Sequence, residues 1–195
     1  IRLFYGIFGN GNAKVNLENV EFSEMLSYAY NGAGSLLNAD NCTFHGWISG
    51  WGNGTATFDG CTFTIGKAWY PAAICYGNTT FTSCKFFKNE NDADVLGAQG
   101  ANDENGYYNY SYVVAIANPA TTIDFNACSF IDESGAETTI TVDNHPYHAC
   151  GDWGDGKLPE VSQIQVDGQD ITTQCHGFTE SSTEGGETTE GTTEE

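Results

Sequence analysis

A short phrase recurs five times along this chain and limits what it can fold into. It reads Leu17-Glu-Asn-Val20-Glu-Phe22, Ala39-Asp-Asn-Cys42-Thr-Phe44, Phe58-Asp-Gly-Cys61-Thr-Phe63, Phe81-Thr-Ser-Cys84-Lys-Phe86 and Phe125-Asn-Ala-Cys128-Ser-Phe130. The copies start 22, 19, 23 and 44 residues apart. The last interval reads as two periods, one of them lacking the phrase, with Val95-Leu96 as its buried strand. A fixed period near 22 residues is the mark of a stacked-repeat architecture, in which each repeat buries its apolar face against the next.

The phrase carries geometry of its own. Cys61 and Phe63 are two apart and share one face of a strand, while Thr62 faces away. The five outward residues are Glu21, Thr43, Thr62, Lys85 and Ser129, all polar. The first apolar residue stands three positions before the Cys, the wrong parity for one straight strand, so a bend falls between them. Asn19, Asp40-Asn41, Asp59-Gly60 and Ser83 are turn formers at that point, and Asn126-Ala127 is a weaker one. No helical apolar stripe accompanies these copies. In-register stacking would line up Val20, Cys42, Cys61, Cys84 and Cys128 in one inward column. Phe22, Phe44, Phe63, Phe86 and Phe130 would form the next.

These repeats resemble the right-handed parallel β-helix, or pectate-lyase-like, superfamily. The resemblance spans about residues 15 to 130 and implies an all-β solenoid with about 22 residues per rung. It is nearly silent on activity, because the fold hosts enzymes, adhesins and phage spikes. In texture, with its Asn-Cys-Thr-Phe rungs and Thr/Glu-rich tail, the chain looks like β-helical segments of surface proteins from gut-type Gram-positive bacteria. That likeness implies an extracellular location, secreted or on the cell surface.

The formal charge is −20, with one Arg and five Lys. Such a surface repels nucleic acid and anionic lipid. From Thr179 to Glu195 the chain is only Thr, Glu, Gly and Ser, too polar to bury a core, and is expected to be a disordered linker. Removing its six Glu leaves about −14 on the body. Residues 1–178 then form one domain, with a closing segment from about 143. No run of about 18 apolar residues is present to span a membrane. The chain opens at Ile1 in mid-pattern, and the expectation is a piece of a longer protein.

Of the seven Cys, four stand in the repeat column, where side chains point the same way. Free, stacked thiols suit Cys42, Cys61 and Cys84 better than disulfides do. The missing repeat would separate Cys128 from Cys84. Cys75 reads as a lone core thiol. Cys150 and Cys175 flank a non-repeating segment and either staple it or stay free. Strands are expected at Tyr112–Ile116, Ile123–Phe125, Thr138–Val142 and around Ile164–Val166 and Ile171, with a hairpin turn at Asp167-Gly168. Residues 145–157 read as a loop.

Aromatic residues supply the candidate binding site. Trp47, Trp51, Trp69 and Tyr70 follow successive phrases in Gly-rich surroundings and could form a stacking platform for sugar rings, or fill the core instead. An acidic surface restricts such a ligand to neutral or cationic glycans. Asp92, Asp94, Asp103 and Glu104 sit in acidic loops rich in the hard oxygen ligands of calcium, without an EF-hand pattern. Calcium is the one cofactor the sequence suggests. The motifs of the superfamily's enzymes are missing: the single Arg, Arg2, lies in the terminal rung, and no Gly-His-Gly is present. Asp152 and Asp155 are the tight acidic pair beside an aromatic residue and a nearby His148, and a Gly-rich turn with solvated Asp side chains accounts for them better than catalysis does. The reading is a non-catalytic adhesin or stalk that presents a face to glycans or a host surface protein. The alternatives are a carbohydrate-active β-helix enzyme and a purely structural spacer.

Overall fold

The structure, a computed structural model, describes residues 6–23, 28–33, 36–45, 47–51, 54–64, 73–75, 77–87, 114–116, 122–131, 134–143, 147–149 and 163–174. Strands come in threes. The first repeat is β1 (Ile7–Asn10), β2 (Lys14–Glu18) and β3 (Glu21–Phe22). The second is β4 (Tyr28–Ala33), β5 (Leu36–Asp40) and β6 (Thr43–His45). The third is β7 (Trp47–Trp51), β8 (Thr55–Asp59) and β9 (Thr62–Thr64). The fourth is β10 (Ala73–Cys75), β11 (Asn78–Thr82) and β12 (Lys85–Phe87). The fifth is β13 (Val114–Ile116), β14 (Thr122–Asn126) and β15 (Ser129–Ile131). After it come β16 (Glu137–Thr139), β17 (Tyr147–Ala149), β18 (Gln163–Val166), β19 (Gln169–Asp170) and a 3-10 turn at Thr172–Gln174. The protein is all-β, with no α-helix among the described residues.

As far as β15, every third strand joins the same sheet. The first sheet runs β1-β4-β7-β10-β13-β17, parallel throughout. The second runs β2-β5-β8-β11-β14-β18-β19 and the third β3-β6-β9-β12-β15-β16. Only β19 and β16, at the C-terminal ends of these two sheets, turn back antiparallel. The three sheets share one core.

The phrase sets the register. Leu17, Ala39, Phe58, Phe81, Phe125 and Val166 align across the second sheet. Phe22, Phe44, Phe63, Phe86 and Phe130 align across the third. The rings stack along each column, with centroids 5.3 Å apart for Phe44–Phe63 and 5.2 Å for Phe58–Phe81. Between the columns they meet edge to face, as for Phe58–Phe63 at 5.2 Å, the arrangement the ring quadrupoles favour.

The bend inside the phrase is one residue in the left-handed region. Asn19 (φ 54°), Asn41 (50°), Gly60 (60°), Ser83 (51°) and Ala127 (51°) each turn the chain from the second sheet to the third. Each of the first four corner amides donates to a carbonyl of the next repeat, as Asn41 does to Asp59 at 2.8 Å. For Ala127 the chain is already turning into the Asp167-Gly168 hairpin (φ 47° and 77°), and the Asp167 carboxylate takes the bond instead at 2.7 Å.

Two expectations are corrected. The 44-residue interval is a single repeat, because Lys85 pairs directly with Ser129, Thr79 with Ile123 and Ala73 with Val114. All three sheets pair directly across it, so no further repeat stands between Cys84 and Cys128 in the stack; Val95-Leu96 lie outside the described residues. Tyr147–Ala149, read as part of a loop, is a strand paired with β13. Of the strand expected at Tyr112–Ile116, the described residues Val114–Ile116 are a strand; those at Ile123–Phe125 and Ile164–Val166 are found, and so is the hairpin at Asp167-Gly168, whereas the one expected at Thr138–Val142 is Glu137–Thr139 and ends before Ile140.

Candidate functional site

Strand parity assigns the faces of the first sheet. Ile7, Tyr30 and Ile48 are in register and pack into the core. The adjoining row, of opposite parity, is Phe8, Asn31 and Ser49. Phe8 is 62% exposed, the one large hydrophobic residue so placed among the described residues. Asn31 beside it is only 6% exposed, and its amide oxygen is buried without a hydrogen-bond partner. Such an acceptor costs about 1–3 kcal/mol unless something donates to it. An apolar ring and an unsatisfied acceptor thus lie on adjacent strands. The oxygen is itself out of reach of solvent, so of the pair only the Phe8 ring is offered to a ligand.

Of the aromatic residues proposed from sequence, Trp47 and Trp51 are the two ends of the next strand, β7, opposite Tyr28 and Ala33 of β4. They therefore belong to the same sheet as Phe8 and Asn31. Trp69 and Tyr70 lie outside the described residues, as do Asp92, Asp94, Asp103, Glu104, Asp152, Asp155, Cys150 and Cys175. Sequence reading missed Phe8 and Asn31 as site residues. Their signal was faint: the phrase does not extend into β1 and β4, and a lone Asn in Tyr-Asn-Gly reads as a turn.

The outer faces of the other two sheets are polar. Asn38 donates to Asn16 at 2.9 Å and accepts from Thr57 at 2.6 Å. On the third sheet His45 Nδ1 lies 2.8 Å from the Thr64 hydroxyl and Nε2 lies 3.6 Å from Glu21. Lys85 pairs with Glu137, whose other oxygen accepts from Ser129 at 3.4 Å. Glu18, Asp40 and Asp59 form a carboxylate row on adjacent strands, which the sequence reading did not notice. All three are exposed, and registered like charges oppose one another.

Inside, Cys42, Cys61, Cys84 and Cys128 are free, buried thiols in one column. Free stacking is as expected. The adjacency of Cys84 and Cys128 is not, and it follows from the single-repeat interval. Each sulfur donates to the carbonyl two residues before it, from Cys42 to Asp40 at 3.2 Å to Cys128 to Asn126 at 3.4 Å. Burial pushes the Cys42 thiol up. Cys84 is pushed up strongly by its hydrogen bonds to Cys128 and Cys61 and then by burial. Those same bonds lower Cys61 and Cys128. No group of three or more His, Cys, Asp or Glu among the described residues is placed to hold a metal ion.

No family model matches the chain, and no curated protein or solved structure matches it.

Proposed function

We propose that the three sheets wind a right-handed parallel β-helix that works as a non-catalytic adhesin or stalk, secreted or displayed on a cell surface. Its first sheet carries the binding face, and its ligand is a neutral or cationic glycan. The observation behind this reading is the exposed Phe8 ring on the first sheet. A sugar ring offers the complement of that ring, a C–H face to stack on an aromatic surface. Trp47 and Trp51 extend the aromatic character of the sheet by one strand. The net charge of −20 disfavours polyuronates and sulfated glycans.

A glycan array compares the wild type with Phe8→Ala and Trp47→Ala/Trp51→Ala. Signal on neutral glycans is expected to fall at least tenfold in each variant, with circular dichroism unchanged. Equal signal from all three proteins removes the binding face. A signal confined to anionic glycans removes the ligand class.

A further inference from the structure

The corner between the second and third sheets brings one thiol per repeat into line. Cys42, Cys61, Cys84 and Cys128 each stand one residue before a registered position of the third sheet, Thr43, Thr62, Lys85 and Ser129. Their backbones are joined repeat to repeat. Thr62 donates to the Cys42 carbonyl at 2.8 Å, Lys85 to that of Cys61 at 2.8 Å and Ser129 to that of Cys84 at 2.9 Å. The sulfurs share one orientation. Each donates to the carbonyl two residues before it. The last three also reach a carbonyl of the preceding repeat: Cys61 to Ala39 at 3.5 Å, Cys84 to Phe58 at 3.4 Å and Cys128 to Phe81 at 3.5 Å. Equal surroundings mean equal rotamers, so each sulfur is displaced from the next by the strand spacing, about 4.8 Å.

That distance decides what the column can hold. A disulfide needs its sulfurs about 2.05 Å apart and its Cβ atoms within about 4.5 Å. Thiols pointing the same way from strands about 4.8 Å apart meet neither condition. A tetrahedral ion needs converging ligands, and a straight line of sulfurs does not converge. An ion held by two sulfurs on opposite sides needs only a spacing of twice its bond to sulfur. For a metal–thiolate bond of about 2.3 Å, that spacing is about 4.6 Å. Strand side chains stand roughly perpendicular to their sheet. An ion between two stacked sulfurs therefore meets each Cβ–Sγ bond near a right angle, as divalent sulfur prefers. Thiolates select soft ions such as Cu(I).

We propose that Cys42 and Cys61 form a site for a soft monovalent ion of the Cu(I) class, bound in a line between the two sulfurs. The pair is singled out because the Cys42 amide donates to the Cys61 sulfur at 3.4 Å. Each sulfur gives up its proton to solvent and forms a bond to the ion, and no electron is transferred. Two thiolates and one monovalent ion leave a single negative charge, which the amide faces. Cys42 and Cys61 are 1% and 0% exposed. The ion enters when the corner opens locally and is then shielded from competing ligands. The site lies in the core and stands independently of the glycan reading.

Ag(I), soft, monovalent and stable in air, is the test ion. Cys75, Cys150 and Cys175 are replaced by Ser throughout, so that only the column responds. Two variants of that parent keep two column thiols each. Cys84→Val/Cys128→Val keeps the adjacent pair. Cys61→Val/Cys128→Val keeps Cys42 and Cys84, two repeats and about 9.6 Å apart. Val is a fitting replacement because Val20 occupies this column in the first repeat, its carbonyl accepting from Thr43 at 2.9 Å. Native mass spectrometry, after exposure to Ag(I) and a monothiol competitor, counts the ions retained, and circular dichroism monitors the strands. The adjacent pair is expected to hold one ion about a hundredfold or more tightly than the separated pair. X-ray absorption on the parent is expected to show two sulfurs at about half the strand spacing from the ion. That shell is read on the intact column and does not depend on either variant folding. Equal retention by the two folded variants overturns the proposal. So does a shell of three or more sulfurs, a parent that retains no ion, or an ion held only with loss of the strand signal.

Discussion

Ala127 holds a backbone conformation that its methyl group disfavours by about 1–2 kcal/mol. It occupies the same left-handed corner as Asn19 and Asn41, residues whose short amide side chains tolerate that region. Those two also bond to each other, Asn41 donating to the Asn19 oxygen at 2.6 Å. The corners therefore respond to substitution with opposite signs. Ala127→Gly is expected to stabilise by about 0.5–1 kcal/mol, the relief of strain less the entropy of a freer unfolded chain. Asn41→Ala is expected to cost about 2 kcal/mol, through the lost bond and the newly strained methyl. Urea unfolding of both variants checks the pair, and a shared sign would refute this account of the corner. The bend itself was legible from Asn, Asp and Gly in the phrase. That an Ala would also adopt the left-handed region was not, because its support, the Asp167 carboxylate on its amide, comes from 40 residues away.

Among elements, the phenylalanine columns make the core cooperative along the stack. Phe63 is fully buried between Phe44 and Phe86, at 5.3 and 5.1 Å, and meets Phe58 and Phe81 edge-on. Phe22 has a stacking neighbour on one side, Phe44 at 5.4 Å, and is half-buried. Phe63→Ala is expected to cost about 3–5 kcal/mol, the range for a large cavity in a close-packed core. Phe22→Ala is expected to cost about 1–2 kcal/mol, in proportion to its partial burial. Chemical denaturation of the two variants gives the comparison, and equal losses would mean the column is not a continuous stack. The second and third sheets were legible in the sequence because their inward positions repeat apolar types two apart. The first sheet was largely hidden. One of its aligned rows is Gly9, Gly32 and Gly50, with no side chain to reveal a period, and β17 lies in a segment rich in turn formers. The extra length between the fourth and fifth phrases was misread as a repeat because 44 happens to be twice 22. Periodicity alone does not separate an insertion from a degenerate copy.

For the whole molecule, the C-terminal closure has a pH dependence that the parallel body lacks a reason to share. The Lys85 ammonium hydrogen-bonds Glu137 on β16 and holds its carboxyl below the ordinary range. The Thr172 hydroxyl, and then its amide, do the same for Asp170 on β19. Both pKa values are lower folded than unfolded. The stability they contribute is complete above the ordinary carboxylate value of about 4 and is lost as the pH falls through the lowered values. Acid also removes the self-repulsion of a chain carrying −20, which favours the compact body. As the pH falls below about 4, hydrogen-exchange protection at Thr172 and Ile140 is therefore expected to fall while that at Phe81 persists. Simultaneous loss at all three sites would show that the closing strands and the body unfold as one unit.

The direct pairing of Lys85 with Ser129 has a consequence for how such a chain can change. The three sheets are in register on both sides of residues 88–113, so their alignment tolerates an interruption of that length. The junction is a ready graft point, where foreign sequence can be spliced in and variants of different size can arise without re-engineering the scaffold beneath them.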